Sequence, residues 1–151
     1  MMSLIGELTI LEEDNKITEI LFEKEGIGEN YLNKETEVLK EAKKQLQMYF
    51  NGQLKEFNLP LKIKGTEFQK KVYNALLNIP YGKTVSYKYI AKEIGNDKAS
   101  RAVGGANNKN SIPIIIPCHR VIGTNNKLVG YAGGLDIKSK LLELETINKD
   151  Q

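Results

Sequence analysis

The stretch Ile112-Pro113-Ile114-Ile115-Ile116-Pro117-Cys118-His119-Arg120-Val121 constrains this chain most, because an apolar run set with prolines ends on its only cysteine, directly followed by its only histidine. Ile112 and residues 114–116 predict a short buried strand, and Pro113 and Pro117, which cannot donate to a ladder, end it abruptly at Cys118. A thiol is a strong nucleophile only as thiolate, so a reactive cysteine needs a nearby base or positive field, which a histidine supplies directly or through one water. A small buried thiol beside a hydrogen-bonded core histidine would satisfy packing with no chemistry at all. The pair alone leaves both readings open.

Length and composition bound the rest. A chain of 151 residues suits one domain, or a small N-terminal domain joined to a C-terminal one. The single cysteine rules out an intramolecular disulfide and any multi-cysteine zinc site, so we expect a reducing compartment and no metal. A net charge of +3 is too small by itself to argue for nucleic acid. With no signal peptide and no apolar run of membrane-spanning length, the expectation is a soluble, cytoplasmic protein with no membrane partner.

Residues 6–11 and 17–22 are β-prone and flank an Asp14-Asn15 turn, which predicts a hairpin. Leu39, Ala42, Leu46, Tyr49 and Phe50 recur at helical spacing, Asn51-Gly52 ends that helix, and 59–63 suggests another short strand. A connection around Gly65 places the boundary between domains 1–64 and 65–151. Thr66 and Gln69 have the form of a capping box for a helix with an apolar stripe at Phe68, Val72, Leu76 and Ile79. Ser86 then caps a short helix through Ile94, Gly95 turns the chain, and residues 98–107 form a second helix, giving a helix-turn-helix. Its Ala102, Gly104 and Gly105 are small, and each glycine costs a helix roughly 1 kcal/mol, so they need a reason: close packing against a neighbour, or close approach of the backbone to a ligand. Residues 122–129 read as a hairpin with an Asn-Asn turn, 130–134 as a glycine-rich loop, and a final helix from about Asp136 buries Ile137, Leu141, Leu142 and Leu144 while Glu145 projects elsewhere. The expected class is α/β (α+β): a small N-terminal α/β domain and a mainly helical C-terminal domain with a helix-turn-helix and a short active-site strand.

Pro117-Cys118-His119-Arg120-Val121 resembles the active-site signature of the O6-alkylguanine-DNA alkyltransferases. The likeness extends through Ser100-Arg101-Ala102-Val103-Gly104-Gly105-Ala106-Asn107, Asn110, Gly130-Tyr131-Ala132-Gly133-Gly134-Leu135, Lys138 and Glu145, covering roughly residues 65–147. The first sixty residues carry no matching motif. The resemblance implies single-turnover, cofactor-free transfer of an alkyl group from guanine O6 in double-stranded DNA, with O4-alkylthymine a further candidate, by a monomer.

It also implies roles. Cys118 is the acceptor, His119 takes its proton through a water, and Glu145 holds the other imidazole nitrogen, an arrangement expected to favour thiolate. Asn110 is the hinge tying the recognition region to the active-site loop. Guanine O6 lies inside a base-paired stack, so the nucleotide must be rotated out. Arg101 is the finger that fills the vacated stack, and Tyr87 stabilises the flipped nucleotide and can protonate guanine N3. Ala102, Gly104 and Gly105 lie against the minor groove, and Tyr131, Ala132 and Val121 wall the pocket. Ala132 stands where a serine is common in the family, which removes a hydroxyl contact to the base. Lys138 is a weaker match, as an active-site neighbour. Residues 86–107 alone would also suit a transcription factor, but that reading leaves the Cys-His pair and Glu145 without a role; a cysteine hydrolase would need an oxyanion hole that no motif supplies.

Overall fold

The computed structural model describes residues 1–22, 31–123, 131 and 133–150. The chain folds into two compact units, Met1–Lys62 and Ile63–Gln151.

In the first unit, β1 (Met2–Ser3) and β2 (Gly6–Glu7) form a minimal antiparallel pair, followed by the hairpin β3 (Thr9–Glu13) and β4 (Lys16–Leu21). The hairpin is the predicted one. Asp14 and Asn15 both have left-handed backbones, with φ of 55° and 63°, the geometry whose twist matches that of the flanking strands. Helix α1 (Glu37–Phe50) is capped by the Thr36 hydroxyl and buries Ala42, Leu46 and Tyr49 completely. Gln45 is buried on the same face and satisfied: its amide donates to Asn58 O at 3.0 Å and its Oε1 accepts from Asn58 N at 2.9 Å. The strand expected at 59–63 is only a single bridge between Ile17 and Leu61, since Pro60 has no N–H to extend a ladder.

In the second unit, α2 (Glu67–Leu76) begins with the predicted capping box, and α3 (Tyr87–Glu93) is capped by Ser86, whose hydroxyl accepts from Tyr89 N. Gly95, at φ +80°, turns the chain into α4 (Ser100–Asn108). A 3-10 turn (Cys118–Arg120) leads into β6 (Val121–Ile122), which pairs in parallel with β5 (Val85–Ser86). That pairing brings the residue after Ser86, Tyr87, alongside the segment that follows His119. Helix α5 (Leu135–Asn148) closes the unit.

The fold class is therefore mixed α/β as expected, with two local corrections. The run 112–116 is a tight turn and not a strand; the short strand beside the site is β6, just past His119. Glu145 does not project away from the buried face of α5 but belongs to it, with Lys138 and Leu141, because positions three, four and seven apart share one helical face. The predicted hairpin over 122–129 lies outside the described residues beyond Gly123. Among the described residues no helix is long and apolar enough to cross a membrane.

Candidate active site

The turn that presents Cys118 is built around Asn110. Its Nδ2 donates to Ile116 O at 2.8 Å and its Oδ1 accepts from Ile112 N at 3.0 Å, so one side chain ties the two ends of the isoleucine run together. Between them Ile114 sits at φ +75° with Ile115 N donating to Pro113 O at 2.9 Å, a γ-turn strained for a β-branched residue by about 1–3 kcal/mol. Burial of Ile112, Ile114, Ile115 and Ile116 against the unit's core holds that conformation in place. The run is apolar because it is buried, yet its hydrogen bonds go to its own turn and to the Asn110 side chain and not to a ladder.

His119 and Glu145 are both buried, and His119 Nε2 lies 2.6 Å from Glu145 Oε2. Arg120, also buried, grips the same carboxylate through two donors, Nε to Oε1 at 2.8 Å and Nη2 to Oε2 at 3.1 Å, while its Nη1 donates to Ile79 O at 2.7 Å. Gly82 N adds a donor to Glu145 Oε1 at 3.3 Å. Gly82 adopts φ +77°, and a Cβ there would come within 2.7 Å of the Lys149 side chain, so this position requires glycine. Burial opposes charge on Glu145, but hydrogen bonds from His119 and Arg120 and the guanidinium charge outweigh it and hold the carboxyl at about 2. Glu145 is then acceptor-only, so the His119 proton sits on Nε2 and Nδ1 carries a lone pair. Nδ1 is buried and has no hydrogen-bond partner among the described residues. Burial lowers the His119 pKa, so the resting ring is neutral and able to accept a proton there.

Burial dominates Cys118 too. It pushes the thiol up to about 11, against the opposing pull of the Asn110 and Tyr131 side chains and the Lys138 charge. The resting sulfur is therefore a protonated thiol, not the thiolate that the relay is expected to favour; proton removal must accompany reaction. Lys138, expected only as a weak match, is fully buried, donates from Nζ to Val121 O at 2.6 Å, and has its pKa lowered by burial to about 8. Burial, and the neighbouring Cys118 sulfur wherever it ionises, raise the Tyr131 pKa well above the ordinary value. The same two causes raise that of Tyr87, which keeps its hydroxyl protonated and able to donate. Val121 is completely buried; its neighbour Ile122 is the one that reaches the cleft described next. Ala132 lies outside the described residues.

On the helix-turn-helix, Tyr87, Lys88, Arg101, Gly104 and Ile122 line an open cleft of about 700 Å³. Arg101, Ala102 and Gly105 are exposed on α4, and Arg101 makes no hydrogen bond or ion pair among the described residues. A Cβ on Gly104 would meet the Tyr87 ring at an ordinary 3.8 Å, and one on Gly105 would meet nothing within 4 Å. Internal packing therefore does not explain these glycines. The alternative reason, close approach of an external partner, remains.

The structure thus gathers Cys118, His119, Glu145 and Asn110 into one buried cluster, sets the half-buried Tyr131 beside Cys118, and places Arg101 and Gly105 on an exposed face beside the Tyr87 cleft. It also adds Arg120 and Gly82, for which the sequence suggests no role. A buried charge needs a partner, so an arginine within an otherwise buried segment was the available signal for the first.

Comparison with known proteins decides the family. Residues 67–147 match the DNA-binding domain of 6-O-methylguanine DNA methyltransferase, and residues 1–63 match that family's ribonuclease-like domain. The chain belongs to the O6-methylguanine DNA methyltransferase family. Its relatives include the constitutive methylated-DNA–protein-cysteine methyltransferase of Bacillus subtilis, 50% identical over 95% of this chain and 92% of that one. The Methanosarcina acetivorans enzyme of the same name is 64% identical over 72% of this chain and 70% of its own. The crystal structure of Mycobacterium tuberculosis OGT in complex with DNA superimposes with a TM-score of 0.90 at 44% identity, covering 98% of this chain and 91% of that one. The N-terminal domain match assigns residues 1–63 to the family as well, although they carry no motif legible on its own.

Proposed function

We propose that this protein repairs DNA by transferring an alkyl group from O6 of guanine to Cys118 Sγ, and that the unit Ile63–Gln151 carries both DNA binding and transfer. The observation that supports this best is a buried thiol followed directly in the chain by a buried histidine whose Nε2 is held 2.6 Å from the charged Glu145 carboxylate. The Sγ–C bond forms as the C–O6 bond breaks, and the electron pair stays with guanine. The thiol proton passes through a water to His119 Nδ1, and Tyr87 supplies a proton to guanine N3. Glu145 supports the imidazolium that results, and Arg120 keeps Glu145 from taking that proton. The product is a thioether, which water does not reverse, so each molecule repairs one lesion and needs no cofactor. The substrate class is duplex DNA carrying O6-alkylguanine, and the protein acts in the cytoplasm as a monomer.

The target base reaches Cys118 only if it leaves the stack, and the exposed, unengaged Arg101 is the side chain suited to fill the gap. Arg101→Ala should make extrusion less favourable by an amount on the order of the few kcal/mol that unstacking costs, and so slow repair of duplex DNA markedly. Reaction with the free base O6-benzylguanine, which needs no flipping, should stay near the wild-type rate. Equal losses on both substrates would assign Arg101 to the fold and remove the finger role.

Gly105→Ala separates stability from binding. The Cβ meets open space in the free protein, and alanine favours a helix by about 0.5–1 kcal/mol over glycine, so thermal stability should rise. Affinity for duplex DNA should fall, because the added methyl lies where the minor groove must approach. Unchanged affinity in a salt titration would place the DNA on another face.

A further inference from the structure

Asn107 has no assigned role, and the geometry around it is costly unless it has one. It lies in the last turn of α4, is 2% exposed, and donates from Nδ2 to the backbone carbonyl of Cys118 at 3.3 Å. Its Oδ1 is buried and has no hydrogen-bond partner among the described residues. The amide orientation follows from the bond it makes, since the reverse would set Oδ1 against another acceptor. A buried acceptor without a partner lowers stability, and a single long hydrogen bond does not offset that.

The helix turn that carries Asn107 is itself fixed. Tyr73 of α2 donates its hydroxyl to Ala106 O at 3.0 Å, in the buried interior. On the opposite side of α4, Arg101 and Gly105 are exposed. A rigid helix thus carries the proposed DNA-facing residues on one face and, on the other, a side chain bonded to the backbone of the nucleophile. Asn110 holds the carbonyl of Ile116 in the same manner, so two amides from one short segment grip the carbonyls on either side of Pro117.

We propose that Asn107 is a positioning residue for alkyl transfer: it fixes the Cys118 backbone to the last turn of the recognition helix, so that docking of α4 sets where the sulfur stands. The inference rests on Cys118 being the acceptor. Asn107→Leu keeps the approximate shape, removes the stranded acceptor and loses the bond to Cys118. Its melting temperature should equal or exceed that of wild type, while single-turnover transfer from an O6-methylguanine duplex falls by about tenfold, the equivalent of one hydrogen bond. Affinity for the same duplex should not change, because the DNA-facing side of α4 is untouched. Asn107→Asp, nearly isosteric, places a negative charge near the sulfur, so the rate–pH profile should move to higher pH.

Asn107→Leu at the wild-type rate would overturn the proposal. So would rate losses in both variants that track lost thermal stability with an unshifted pH profile, since that is what a merely structural residue gives. Wild-type protein that transfers nothing would instead remove the Cys118 reading on which the proposal rests.

Discussion

Cys118→Ser should bind alkylated DNA close to normally and transfer nothing measurable. Serine is nearly the same size, so the turn held by Asn110 should survive the change. A neutral hydroxyl is far less nucleophilic than sulfur, and nothing in the site is built to ionise it: burial here pushes even a thiol up to about 11. His119 can accept a proton only as one is being released, so a group that releases its proton much less readily gains little from the relay. Single-turnover assays on an O6-methylguanine duplex check this, together with a binding titration of the same variant. Transfer above a few per cent of the wild-type amount would mean that Cys118 is not the acceptor.

The second large effect is on the ion pair. Glu145→Gln leaves Arg120 buried with its charge uncompensated, and removing one partner of a buried pair costs about 3–5 kcal/mol. The variant should therefore lose that much stability in denaturant unfolding. Surviving folded protein should transfer slowly, because a glutamine no longer stabilises the imidazolium. Arg120→Met should cost a similar amount for the opposite reason, the stranded carboxylate. Combining the two should cost clearly less than the sum, as the pair is removed together. Additive losses would show that Arg120 and Glu145 act separately, contrary to the two-donor contact between them.

The sequence carried much of this, and the parts it missed have physical causes. Local signals were reliable where they rest on short-range chemistry: the Thr66–Gln69 capping box, the Ser86 cap and the Asp14-Asn15 turn all formed as expected. The run 112–116 reads as a strand and folds as a turn because apolar composition reports burial, not backbone geometry. Asn110, close by in sequence, supplies the hydrogen bonds that a neighbouring strand would otherwise have provided. Glu145 reads as lying off the buried face because a carboxylate in a leucine-rich helix looks like a solvated position. Arg120, His119 and the Gly82 N–H, far away in sequence, make its burial tolerable. Arg120 and Lys138 share that difficulty, since their partners are a carboxylate and a carbonyl that only the fold brings near. The glycines of α4 are open to two explanations, and the free space around Gly105 removes internal packing as the reason for that one.

The direct test of the account is mass spectrometry after mixing the protein with an O6-methylguanine duplex and digesting it. We expect one methyl in place of one proton on the peptide that carries Cys118, at one methyl per protein molecule however large the excess of DNA. An unmodified Cys118 peptide alongside restored guanine, or more lesions repaired than protein molecules present, would contradict it.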